Sequence, residues 1–146
     1  INLSIGHPVG ESYKTDPLCQ AVETAWQAGI FVVCAAGNEG RLNTFSVAGL
    51  DNEGFGTKYG SIQCPGNDPL VMTVGAMKQT TTGRQFDAPT TYTSRGPSRL
   101  DLVLKPDIVA PGNRIISTLS SGSYLDLTYR STNALLLSDY VIGGGS

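Results

Sequence analysis

The stretch from Ile30 to Gly40, read Ile-Phe-Val-Val-Cys-Ala-Ala-Gly-Asn-Glu-Gly, constrains the fold more than any other part of the chain. Ile30, Phe31, Val32, Val33 and Cys34 run without polar alternation. That is the pattern of a strand covered on both faces, as in a parallel sheet between layers of helix. The run then breaks into small residues. Ala35, Ala36 and Gly37 let another group approach the backbone closely, and Asn38 follows with a neutral amide able to donate two hydrogen bonds. Taken alone, Ala-Ala-Gly-Asn-x-Gly is also what a strand leaving its sheet through a turn looks like. Its neighbours decide between the two.

Upstream, Leu3 and Ile5 alternate with Asn2 and Ser4 in a short strand that stops at Gly6 and a His7-Pro8 turn. The next element carries a full set of helix signals over 17–28. Asp16 stands at the N-cap and Pro17 at the first helical position, Leu18, Ala21, Val22, Ala25 and Trp26 share one face, and Gly29 closes the helix. Strand, helix and strand within residues 1–36 predict a βαβ unit with strands 1–6 and 30–36 parallel and adjacent. Sites in such sheets gather at the carboxyl ends of strands, and Gly6-His7 and Gly37-Asn38 are both such ends.

Arg41 to Cys64 has no steady period and predicts a long surface excursion with a hairpin around 55–59. A third buried strand is expected at Val71–Ala76, an edge strand at Arg84–Phe86, a turn at Thr93–Pro97, a proline-bracketed strand within Lys105–Gly112, and another at Ile115–Thr118. From Ser120 the pattern fades into a polar tail with an apolar patch at Ala134–Leu137. The whole reads as one α/β domain, a mostly parallel sheet flanked by helices, with 120–146 as a divergent tail.

A net charge of -2 gives no case for nucleic acid or an anionic membrane as partner, and no apolar run is long enough to span a bilayer. No basic leader opens the chain at Ile1, which begins directly as a strand. Cys19, Cys34 and Cys64 match no zinc spacing and read as packed free thiols, although the sequence leaves a disulfide between two of them open.

Five segments, in order, resemble the subtilisin-like serine proteases: Asn2–Gly6 before the amphipathic helix, Ala35–Gly40, Val71–Ala76, Ser94–Pro97 and Pro106–Gly112. The likeness covers about residues 1–119 and implies a partial subtilase fold and peptide-bond hydrolysis by an Asp, His and Ser triad. It gives Asn38 the part of the oxyanion asparagine. It gives Ser4, Ile5 and Gly6 one wall of the primary substrate pocket and Ala35, Ala36 and Gly37 the other. His7 stands where many relatives carry a small residue, so it reads either as a plain turn histidine or as a group at the pocket mouth.

The resemblance also implies a shortfall. The family's Asp and His lie on motifs before the Asn2 strand, and its serine on a motif after the Tyr140 region. Gly144, Gly145 and Ser146 read either as a degenerate form of that motif, with Ser146 in the nucleophile's place, or as a linker. Asp101 and Asp107 read as loop or strand-end carboxylates. The expectation is an internal segment of a secreted serine endopeptidase acting on a peptide or protein substrate, with the oxyanion asparagine and pocket but without triad Asp and His. Residual hydrolysis of activated esters is one alternative. A non-catalytic self-associating module, most simply a homodimer, is the other. No cofactor is implied. Calcium, which family members often hold, would have to bind through backbone carbonyls, since no cluster matches an EF-type loop.

Overall fold

The fold comes from a computed structural model, which describes residues 1–44, 54–79, 83–113, 115–129 and 140–143. β1 (Asn2–Leu3) lies parallel to β2 (Val33–Ala35), with Asn2 opposite Val33 and Leu3 opposite Cys34. β2 in turn lies parallel to β3 (Met72–Lys78). On its other edge β3 pairs in parallel with β5 (Ile108–Pro111), from Val74 opposite Ile108 to Met77 opposite Pro111. Beyond the end of β2, the two-residue β4 (Ala88–Pro89) runs antiparallel to Met77 and Lys78. The sheet is therefore mostly parallel, as expected of this α/β chain. A separate antiparallel pair joins β6 (Ile115–Thr118) to β7 (Tyr140–Gly143).

The crossover from β1 to β2 is α1 (Pro17–Gln27), entered through Asp16. Asp16 Oδ1 accepts from the backbone N–H groups of Leu18 (2.9 Å) and Cys19 (3.2 Å), satisfying two donors that a helix start leaves without partners. Burial alone would raise the Asp16 carboxyl, but hydrogen bonds from the Cys64 thiol and from Cys19 and Leu18, with His7 nearby, hold it below the ordinary range. The helix packs Val22 onto Val32, Cys34 and Val71, with Leu3 and Ala25 at the margin. Cys19, absent from the expected apolar face, is fully buried with Val9 and Cys64, while Ala21 is exposed. All three cysteines are free and buried.

The two-sided burial expected of 30–34 does not hold. Val32 and Cys34 lie under α1, but Ile30 and Phe31 are exposed, and Phe31 instead meets Trp26 with ring centroids 5.4 Å apart. The strand also starts later, at Val33. Its opposite face carries Val33 and Ala35 beside Asn2, Ser4, Val74, Ala76 and Ala110, which line an open concavity of about 220 Å³. Among the described residues one helix covers one face of the sheet, so apolar composition marked the strand but not the number of its covers.

Other expectations change in detail. Arg84–Phe86 is a turn of 3-10 helix, not an edge strand. The hairpin placed at 55–59 gives way to a bridge between Asn43 and Phe55, with Tyr59 bridged to Arg95. A short helix, α2 (Tyr124–Tyr129), stands where the sequence shows no steady period. The apolar patch at 134–137 and residues 45–53 of the 41–64 excursion lie outside the described residues. The far end of the sheet is pinned by Lys105, whose buried Nζ donates to Val71 O and Asp107 Oδ2, both at 2.7 Å. Asp107 also accepts from Thr73 N–H at 2.6 Å, and Asp101 accepts from Ser12 Oγ and Tyr13 N–H. Both carboxylates are committed to structural bonds.

Candidate active site

Because β1 and β2 are adjacent and parallel, their carboxyl ends deliver Ser4–Gly6 and Ala36–Asn38 side by side. Gly37 turns the chain out of β2 with φ of +104°, a conformation that side chains disfavour. The segment that follows is clamped to residues 92–94. Ser94 N–H donates to Gly37 O at 2.9 Å, Ser94 Oγ accepts from Glu39 N–H at 3.1 Å, and Gly40 N–H donates to Tyr92 O at 2.8 Å. Any side chain at Gly40 would collide with the Thr93 carbonyl. Asn38 sits exposed on this clamped turn. The Ser94–Pro97 motif and the Ala35–Gly40 motif are thus two halves of one structure.

The predicted wall residues take different positions. Ser4 and Ala35 line the open sheet concavity, Ile5 and Gly6 are exposed, and Ala36 is fully buried. Gly37 is buried beneath the turn. Among the described residues no backbone hydrogen bond engages Ile5 or Gly6, so this short extended edge has its peptide groups open to solvent. Such an edge can take an added strand.

A residue that the sequence did not single out, Gln63, lies between these two strand ends. Gln63 N–H donates to Ala36 O at 3.0 Å, and the next residue, Cys64, exchanges two backbone bonds with His7 at 3.0 and 3.1 Å. The 62–64 segment therefore crosses from one wall to the other. A Cβ placed on Gly6 would stand 2.6 Å from Gln63 Oε1, and one on Gly37 2.8 Å from Gln63 Cγ. The Gln63 side chain occupies the gap that both glycines leave. Nothing in the local sequence announces it, because the contact spans 26 residues to Gly37 and 57 to Gly6.

His7, the only histidine in the chain, lies against the start of α1, where its Nε2 is 3.4 Å from Asp16 Oδ2. Ser146 lies outside the described residues.

Fold and site together define the class: a parallel α/β domain whose adjacent strand ends present an exposed asparagine beside an open backbone edge. Comparison with known proteins makes this specific. The subtilase family model matches residues 1–140, and the chain belongs to that family. It is 40% identical over 120 residues to serine protease AprX of Bacillus subtilis (strain 168), covering 82% of this chain and 23% of that protein. Subtilisin E of the same organism is 32% identical over 124 residues, covering 85% of this chain and 24% of that protein. Among solved structures, a psychrophilic protease matches with a TM-score of 0.54 and 29% identity, covering 80% of this chain and 33% of that one. The chain thus spans about a quarter of the length of these curated relatives. Among the described residues no helix is long and apolar enough to cross a membrane.

Proposed function

We propose that this chain supplies the oxyanion asparagine and the primary substrate pocket of a secreted subtilisin-like serine endopeptidase. The observation that carries the reading is the juxtaposition of exposed Asn38 with the open backbone of Ile5 and Gly6 at neighbouring strand ends. An extended peptide adding to that edge would lay its carbonyl toward the Asn38 amide. A neutral donor held by a rigid turn stabilises the charge that develops on that oxygen in the tetrahedral intermediate. Ser4, Ile5 and Gly6 form one wall, Ala35, Ala36 and Gly37 the other, and Gln63 the floor. Calcium enters this reading at no point.

Nucleophilic catalysis also needs a base within reach of a serine. His7 is engaged with Asp16 and Pro8, and is not assigned that part. With Ser146 in the nucleophile's place and no base, the expected activity is slow turnover of activated esters and none of peptides at family rates. The test is ester turnover and fluorophosphonate labelling of the 146-residue chain beside its Asn38→Ala and Ser146→Ala variants. Saturable turnover that falls with both substitutions supports the reading. Turnover indifferent to Asn38→Ala overturns the part given to Asn38, and absent turnover overturns the residual esterase activity.

A second reading, a self-associating module, is favoured by the sheet face and the β1 edge that no other described residues cover. It predicts a dimer at micromolar concentration by light scattering, and a monomer there refutes it.

A further inference from the structure

Outside the substrate site, three metal-ligating side chains from separate parts of the chain converge behind the Gly6 wall. His7 follows Gly6, Asp16 caps α1, and Cys64 follows Gln63. One donor atom from each, all taken together, lie within 4.8 Å of one another. His7 Nδ1 is 3.0 Å from the Pro8 carbonyl oxygen. A carbonyl can only accept, so Nδ1 carries the hydrogen, and in the neutral ring Nε2 is then a bare lone pair. That lone pair faces Asp16 Oδ2 at 3.4 Å. A positive centre between these two atoms, either a proton on Nε2 or a metal ion, would satisfy both.

Cys64 completes the set. Its thiol donates to Asp16 Oδ1 at 3.1 Å, so its sulfur lies on the same carboxylate. Tetrahedral coordination with nitrogen and oxygen bonds of about 2.0–2.1 Å separates ligand atoms by roughly 3.3 Å, near the 3.4 Å between His7 and Asp16, and a cluster spanning 4.8 Å would close by small side-chain shifts. The ligands are also held from behind. The Pro8 carbonyl sets the His7 tautomer, and the N–H groups of Leu18 and Cys19 orient the Asp16 carboxylate. Asp16 and Cys64 are buried, whereas the His7 side chain is 46% exposed and leaves the cluster open to solvent on one side.

We propose that His7, Asp16 and Cys64 form a binding site for a zinc-class divalent cation. Imidazole nitrogen, one carboxylate and a thiolate suit zinc and its borderline-soft neighbours; magnesium and calcium seek oxygen ligands. On binding, the Cys64 thiol gives its proton to solvent and its sulfur bonds the metal. Three protein ligands leave a fourth position for water or a further donor. Because His7 and Cys64 directly follow Gly6 and Gln63, the ion would tie together a wall and the floor of the proposed pocket.

The test is titration of the 146-residue chain, thiols kept reduced, with Co²⁺ followed by Zn²⁺. The expected result is one Co²⁺ per chain, a near-ultraviolet thiolate-to-cobalt charge-transfer band, visible bands of four-coordinate intensity, and displacement of Co²⁺ by Zn²⁺. Cys64→Ser should abolish the charge-transfer band, with far-ultraviolet circular dichroism reporting retention of the fold. Cys34→Ser, which changes a buried thiol elsewhere, should keep it. His7→Gln, on the solvent side of the cluster, should weaken Co²⁺ binding at least tenfold. Absence of the band in the unmodified chain, its survival in Cys64→Ser, or unchanged affinity in His7→Gln would overturn the proposal.

Discussion

Replacing Asp68 with asparagine should stabilise the protein at neutral and alkaline pH while changing it little in acid. Asp68 is fully buried; its Oδ1 accepts from Leu70 N–H at 2.8 Å, and its carboxyl also faces the Glu23 side chain. Burial is the main force that pushes its carboxyl up from 3.8 to about 6, with the charge of Glu23 adding to it and the Leu70 N–H opposing it. A folded-state value above the unfolded one means that the unfolded chain ionises first as pH rises. The associated stability is fully present below about pH 4 and is lost as pH climbs through about 6. The gap between the two values corresponds to a loss of about 3 kcal/mol once the group is charged in both states. An amide keeps the Leu70 bond, never ionises and places donors toward Glu23. Urea unfolding of wild type and Asp68→Asn at pH 4.5 and pH 8 reads the effect of Asp68 together with the neighbouring Glu23, because titrating groups remote from the pair cancel in the difference. About 1 kcal/mol of that loss is already present at pH 4.5, so the variant should gain about 2 kcal/mol relative to wild type between the two conditions. An equal difference at both pH values would refute the reasoning.

Other expectations follow from the same geometry. Gly37→Ala should destabilise the chain by about 1–2 kcal/mol or more in urea melts, since φ is +104° and the new methyl would press on Gln63 and Ser94 Oγ. Gln63→Gly should shift binding preference among peptide ligands toward larger side chains at the pocket position; an unchanged profile would remove Gln63 from the floor. Lys105→Met should cost about 2 kcal/mol, because Val71 O loses its charged donor in a buried setting and Asp107 keeps, among the described residues, only the Thr73 N–H beside its carboxylate. A midpoint shift near zero would show that the pair contributes nothing.

The sequence revealed those parts of the fold whose causes are local. Asp16 and Pro17 marked the start of α1 because capping is decided within one helical turn. The apolar run of β2 marked a parallel neighbour to β1 because both strands flank a single crossover. Features set by distant partners were not legible. Ile30 and Phe31 look buried by composition, yet both are exposed, with Phe31 set against Trp26. Gln63 reads as an ordinary loop residue until the 62–64 segment is laid across Gly6 and Gly37. His7 and Asp16 meet Cys64 only because the excursion beginning at Arg41 returns to the first strand, a contact 48 residues from the cap. The Asn38 turn was visible as a motif, but its rigidity comes from Ser94 and Tyr92, more than 50 residues further on.

The location of the substrate site can be tested without relying on turnover. Amide chemical shifts of ¹⁵N-labelled chain, recorded while a peptide aldehyde is titrated in, report which backbone groups meet an extended ligand. The account predicts saturable shifts concentrated at Ile5, Gly6, Gly37 and the side chains of Asn38 and Gln63. Shifts confined to the open sheet face around Val33 and Val74, with Asn38 unmoved, would contradict it.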